Sequence, residues 1–298
     1  MKNTIKTKTK SLREYVKEAD EKGTAIGHFN ISNLEALHGI YNAAKKLNLP
    51  IIIGLSEGEE DFVGLKEGVA LIRAIRERDN YPIFLNADHH YSYEAVVASI
   101  DAGFDSVVID LVKLPLPENI KITKQCVEYA REVSKKEGRD ILVEAELGFI
   151  GTSSKILDVI PDGVSEATMT TPEDAKHFVE ATGIDLLAPS IGNVHGMVKS
   201  GNPRLHPERV KAIRQATGIP LVLHGGSGSM DEDFISCIKE GIDIVHINTE
   251  IRVAYRDAIK KFLNDNPNEV APYKFLKPGV EAVEAVVEAR LKLFNGIK

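Results

Sequence analysis

Several things that would point the chain elsewhere are scarce in its 298 residues. There are two cysteines, Cys126 and Cys237, both in stretches that read as helix and away from the histidines. A reduced, structural role is therefore expected of them, ahead of a disulfide or a metal. Basic charge is not in excess: 37 Lys and Arg against 44 Asp and Glu leave a net charge of −7. The acids are interspersed, which disfavours nucleic acid and anionic membrane surfaces as partners, and an anionic substrate would need local compensation. No apolar run approaches the ~20 residues of a membrane helix, and the start, MKNTIKTKTK, has no apolar segment of the kind that leads export. A soluble, cytoplasmic protein is expected. No Pro/Gly/Ser-rich linker divides the chain, and 43% hydrophobic residues suffice for a sizeable core, so residues 1–298 read as one domain.

What the chain has is a repeat of strand and helix. Residues 11–22 read as an amphipathic helix, with Leu12, Tyr15, Val16 and Ala19 at helical spacing, stopped by Gly23 and suited to plug one end of the domain. Strands read over 24–29, 51–55, 83–87, 106–109, 141–145, 185–188, 221–223 and 243–247. Ser32 and Glu35 suggest a capping box for the second helix, one helix is expected from Ser56 to about Arg76, and an amphipathic helix closes the chain from about Pro278 to Phe294. Two long stretches, Gly148 to Thr170 and the loop after Ala188, lack periodicity, and loops of that length are usually functional or mobile. Eight strands alternating with helices predict an α/β fold, a (β/α)8 TIM barrel with an extra N-terminal and a C-terminal helix. A doubly wound open sheet is the alternative.

Reactive residue types gather at the strand ends. Asn30, Ser56, Asp88, His89, Asp110, Glu146, His224 and Asn248 all fall at or just after the C-terminal ends of strands, and a barrel brings those ends to one mouth. His89, His195 and His224 follow strands three, six and seven. Three neutral imidazoles with a position left open suit catalytic zinc, although the spacing is no motif and His224 taken alone reads as a core histidine ahead of a ligand. Gly225, Gly226, Ser227 and Gly228 let backbone N–H groups approach an anion; a purely steric turn is the other reading. Ser56, Gly196 and Lys199 add donors for a phosphate, with Lys199 open to reading as a solvated charge. Asp88 precedes His89, so strand alternation is expected to aim it away from the metal and toward substrate, where it would move a proton.

Asn30, Ala87-Asp88-His89, Val108-Ile109-Asp110, Val143 to Gly148, Ile191 to Gly196 and Leu221 to Gly228 together resemble the class II, metal-dependent ketose-bisphosphate aldolases, from roughly Ser11 to Phe294. The segments GNVHG and LHGGSG, in this order, are the specific ones. The resemblance implies that His89, His195 and His224 hold a catalytic Zn²⁺. It implies that Asp88 moves the proton of the aldehyde-derived hydroxyl, and that Asp110 and Glu146 serve a second or alternative divalent metal position. Gly196, Gly225, Gly226, Ser227, Asn248 and Thr249 match ketose-phosphate contacts, joined by Asn30, Ser56 and a phosphate-side Lys199. Backbone oxygens near Gly196 and Gly225 match a monovalent cation site. The implied reaction is reversible cleavage of a ketose 1-phosphate or 1,6-bisphosphate, fructose 1,6-bisphosphate by default, to dihydroxyacetone phosphate and an aldehyde, in a homodimer or larger homo-oligomer.

There are departures from the family pattern. His246 stands where an amide that contacts substrate is usual. The loop at Gly151-Thr152-Ser153-Ser154-Lys155 lacks the usual carboxylates, leaving Asp158, Asp162 and Glu166 as candidates. Val280 stands near an expected arginine, with Arg204, Arg252 and Arg256 as candidate replacements, and His90 is expected to add a bulky polar group at the mouth. A zinc hydrolase on the same barrel and a non-catalytic phosphosugar-binding paralogue are the competing readings; a pure binding module has no need of Asp88.

Overall fold

The computed structural model describes residues 9–152 and 154–298; residues 1–8, which hold most of the polar start, and Ser153 of the long loop lie outside the described residues. Eight parallel strands close into a barrel: β1 (Ile26–Asn30), β2 (Ile51–Ser56), β3 (Ile83–His90), β4 (Ser106–Ile109), β5 (Leu142–Leu147), β6 (Leu186–Pro189), β7 (Leu221–Leu223) and β8 (Ile242–Ile247). Closure is made by β1 against β8, from Ile26 opposite Ile244 to Phe29 opposite Ile247. The open sheet is thereby excluded.

Strand alternation sorts the interior into layers. At the strand starts Ile26, Ile52, Phe84, Leu142, Leu186, Val222 and Ile244 meet Leu12, Val16 and Ala19 of the first helix, Leu12–Lys22, which seals that end as expected. Two residues further along the same strands the same parity gives His28, Gly54, Asn86, Glu144, Ala188, His224 and His246. Two further still it gives Asn30, Ser56, Asp88, Glu146, Ser190 and Asn248. An apolar floor thus carries a polar middle and a polar mouth. The odd-numbered side chains, such as Ile51, Ile53, Leu55 and Leu85, pack outward into the main core beneath the helices.

Several local expectations need correction. The second helix, Leu34–Leu47, is capped by Asn33, whose side chain accepts from Ala36 N, and not by Ser32 with Glu35. The stretch after Ser56 forms two helices, Glu57–Val63 and Leu65–Asp79, broken at Gly64, whose φ of 94° favours glycine. A capping box does form there, between Ser56 and Glu59. The two long loops, which show no periodicity, are joined by a pair of two-residue parallel strands, Ile156–Leu157 and Met197–Val198. The last helix, Lys277–Phe294, buries Val283, Val287, Leu291 and Phe294 on its own chain, against the helices Leu34–Leu47 and Thr249–Asp265. No described helix is long and apolar enough to cross a membrane.

Candidate active site

The mouth of the barrel opens a cavity of about 350 Å³. A break in β3 shapes it. Between Ala87 and His90 the register with β4 shifts, and His89 adopts φ 107°. This is a bulge at a conformation that side chains rarely take, of the kind that clusters at functional sites. It overrides strand alternation: Asp88 and His89 both face the cavity, with His89 Nε2 3.5 Å from Asp88 Oδ1. The expected separation of the two side chains does not occur. The bulge also carries His90 to the outer side, buried between Glu60 (3.1 Å) and Ser99 (3.1 Å), so it is not at the mouth.

His89, His195, His224 and Glu146 each offer a ligand atom, all within 4.8 Å of one another. His195 Nδ1 donates to the Gly151 carbonyl at 2.8 Å, which fixes its tautomer and leaves Nε2 bare. His224 lies between two buried carboxylates, Nδ1 2.9 Å from Glu146 and Nε2 2.6 Å from Glu144. Burial opposes a charge on that ring, but the two carboxylates hold its pKa well above the usual histidine range. A pocket that makes a buried imidazole cationic is a pocket that favours a cation. Asp110 falls outside the four-donor cluster and sits 3.2 Å from His89 Nδ1, where it orients that ring. Burial works against charge on His89 too, yet Asp88 and Asp110 raise its pKa to about 9. The donor set, three imidazoles and a carboxylate, suits a zinc-type divalent ion.

Beside this cluster Asp88 is buried, and Asn30 Nδ2 donates to its Oδ2 at 2.8 Å. Its Oδ1 makes no hydrogen bond of good geometry among the described residues, although His246 Nδ1 approaches it to 3.3 Å and His89 Nε2 to 3.5 Å. Burial disfavours its ionised form, but His89 and His246 hold the carboxyl well below the usual range, so it stands as carboxylate. Asn30 donates equally to Glu59, which also accepts from Ser56 N and Oγ and from Arg252. Arg252 lines the mouth, whereas Arg204 is paired with Asp233 and Arg256 with Asp257.

Across the cavity Gly196, Gly225, Ser227, Asn248 and Thr249 line one wall, and His246 and Ser56 line it as well. Ser227 Oγ accepts from the N–H groups of Asn248 and Glu250, which caps the helix Thr249–Asp265 and leaves its own hydrogen to donate. A Cβ at Gly225 would stand 2.4 Å from Val194 O, so only glycine permits this approach of the two loops. Gly226 is away from the cavity, packed against the His246 carbonyl and Phe234. Lys199 also lies outside it, exposed and paired with Asp158 at 2.6 Å. The carbonyl oxygens of Gly196 and Ser227 converge on Asn202 Nδ2, at 3.1 and 2.9 Å, so that amide ties the two loops together at the expected monovalent-cation oxygens. Asp158, Asp162 and Glu166 are exposed and do not line the cavity; besides Asp88 and Asp110 the carboxylate that does is Glu57, at the start of the helix Glu57–Val63.

Sequence reading missed His28, Glu59, Asn86 and Glu144, all buried in or beside the site. For His28, Asn86 and Glu144 the signal was present as polar residues at the same strand parity as the recognised ones; Glu59 lies on the helix Glu57–Val63, where its signal was the capping-box spacing from Ser56. Cys126 and Cys237 are buried and free, their thiols pushed up to about 12 by burial, as inert structural cysteines should be.

Comparison with known proteins agrees with this geometry. The profile of fructose-bisphosphate aldolase class-II matches residues 10–297. A fructose-bisphosphate aldolase of Geobacillus stearothermophilus is 39% identical over 288 residues, 96% of each chain, and one of Staphylococcus aureus is 38% identical over the same span. Among solved structures, the YdjI aldolase of Escherichia coli K12 superposes with a TM-score of 0.80 at 31% identity, covering 95% of this chain and 96% of that one. The chain belongs to the class II fructose-bisphosphate aldolase family and is an aldolase, a carbon–carbon lyase.

Proposed function

We propose that the chain, one domain built around this barrel, reversibly cleaves a ketose 1-phosphate or 1,6-bisphosphate, fructose 1,6-bisphosphate first among them, into dihydroxyacetone phosphate and an aldehyde. The observation that carries this reading is the four-donor cluster of His89, Glu146, His195 and His224 with Asp88 Oδ1 beside it. A divalent ion held there, zinc by the donor set, supplies Lewis-acid polarisation of the ketose oxygens. Asp88 takes the proton from the C4 hydroxyl as the C3–C4 bond breaks and returns it in synthesis; it stands as the carboxylate, the form that the accepting role requires. Gly196, Gly225, Ser227 and Thr249 offer N–H and O–H donors to the ketose phosphate. Glu144 and Asp110 orient their histidines. A cytoplasmic homo-oligomer is the assembly this reading favours. A hydrolase or a binding paralogue would share the donors, but the family match disfavours both.

The test is cleavage of fructose 1,6-bisphosphate, tagatose 1,6-bisphosphate and fructose 1-phosphate by zinc-loaded protein. Activity should vanish on chelation and return with zinc, and His89→Ala, His195→Ala and His224→Ala should each lose the metal. Full zinc occupancy in all three variants would overturn the site. Among the described lining residues Arg252 is the one Lys or Arg, and it is already paired with Glu59. Preference for the bisphosphate over the 1-phosphate is therefore expected to stay below about a thousandfold in kcat/KM.

A further inference from the structure

Beneath Asp88 the polar middle layer holds two stacked imidazoles that the reaction as described does not use. His28 of β1 and His246 of β8 are register partners across the closing seam of the barrel. Their ring centroids are 3.5 Å apart and their planes differ by 4°. On its other face His246 meets His224, centroid to centroid 4.3 Å, so the ring is sandwiched between His28 and the metal cluster. The space for His28 is built by a glycine: a Cβ at Gly54 of β2 would lie 2.3 Å from His28 Cε1.

Hydrogen bonds fix the His28 ring in turn. Asn86 Nδ2 donates to Ser106 Oγ at 2.7 Å, which turns Asn86 Oδ1 toward His28 Nε2, 3.1 Å away. His28 therefore carries its hydrogen on Nε2, and its Nδ1 is buried with no partner. A hydrocarbon side chain would fill this volume without an orphaned nitrogen, so packing alone does not account for an imidazole here. Burial holds both His28 and His246 below the usual histidine range, so the stack joins neutral rings. Beyond the stack, His246 Nδ1 lies 3.3 Å from Asp88 Oδ1.

We propose that His28 is a positioning residue: lying flat on His246, it sets the plane in which His246 Nδ1 approaches Asp88 Oδ1, and so keeps that carboxylate in line with the hydroxyl whose proton it moves. This rests on the reading of Asp88 as the proton carrier. The chain of control runs from Ser106 through Asn86, His28 and His246 to Asp88, and every link is a side chain at one strand parity.

Three variants separate this role from simple packing. His28→Gln keeps a donor for Asn86 but removes the ring; Gly54→Ala drives a methyl into the ring; His28→Phe keeps a flat ring and gives up the hydrogen bond. With zinc content and melting followed for each, His28→Gln and Gly54→Ala should lower kcat for carbon–carbon cleavage roughly 10- to 100-fold, as expected for a misaligned proton carrier. KM should change little. Exchange of the C1 proton of dihydroxyacetone phosphate, which does not pass through Asp88, should be spared, and His28→Phe, which keeps the flat ring but gives up the Asn86 link, should lose less cleavage than His28→Gln. Equal loss of exchange and cleavage in His28→Gln, or a His28→Phe as impaired as His28→Gln, would overturn the proposal. Asp88→Ala, run alongside, distinguishes the two failures. If it abolishes cleavage and spares exchange while the His28 variants do not, the positioning role alone is wrong; if it removes both, the reading of Asp88 falls and the positioning role with it.

Discussion

At the scale of single residues, His89 links backbone conformation to charge. Its φ of 107° turns the ring into the mouth, beside Asp88 and Asp110, and that neighbourhood lifts its pKa to about 9. An unfolded histidine titrates near 6.5. In metal-stripped protein the raised value therefore contributes stability that is fully present below about pH 6.5 and is lost as pH rises toward 9. A metal ion must displace the same proton, so zinc affinity should strengthen across that window, with proton release at pH 7 exceeding that at pH 9. Calorimetry in two buffers of different ionisation heat measures both quantities, and an affinity flat from pH 7 to pH 9 would contradict the assignment. The bulge that makes all this possible was not legible in the sequence: nothing in Ala87-Asp88-His89-His90 distinguishes a strand that continues from one that slips by a residue. His90 was misplaced for that reason, since one residue of slip exchanges the two faces.

At the scale of elements, glycine decides how closely the outer helices approach. A Cβ on Gly39 would stand 2.7 Å from Val280 O and 2.9 Å from Val283 Cβ, so the helices Leu34–Leu47 and Lys277–Phe294 meet at backbone distance. Gly39→Ala gains about 1 kcal/mol of helix propensity, but overpacking against a backbone oxygen typically costs about 1–3 kcal/mol. The expected net result is a lower denaturant midpoint with an unchanged slope; an unchanged or higher midpoint would show that the pair can separate freely. Strand and helix positions were legible because apolar periodicity and proline or glycine punctuation report them directly. Start and stop sites were less so: Ser32 and Asn33 are adjacent cap-competent residues, and only the chain's entry angle selects Asn33. The two-residue strands of the long loops had no periodic signal to read, because two residues cannot show a period.

At the scale of the molecule, the barrel and the gathering of its strand-end residues followed from the count of alternating elements, and the polar middle layer was readable by the same parity, though only in retrospect. The apolar face of the last helix is consumed within the chain, so it does not itself call for a second subunit. Other apolar groups remain in the open: Phe62 is 78% exposed, Val270 83% and Tyr273 77%. Light scattering at micromolar concentration should give a dimer or larger species; a monomer there would refute the assembly. The two long loops, finally, are laced together at alternate residues: His195 N donates to Ile150 O, Met197 N to Lys155 O and Lys199 N to Leu157 O, while the His195 ring holds Gly151 O. The segment that borders the cavity and the imidazole proposed as a metal ligand are thus stitched to each other. On the proposed assignment of His195, moving this segment would drag a metal ligand, and a bound ion would in turn hold the segment down. A protease cut after the exposed Lys155 would consequently be a slow route to an enzyme that leaks its metal.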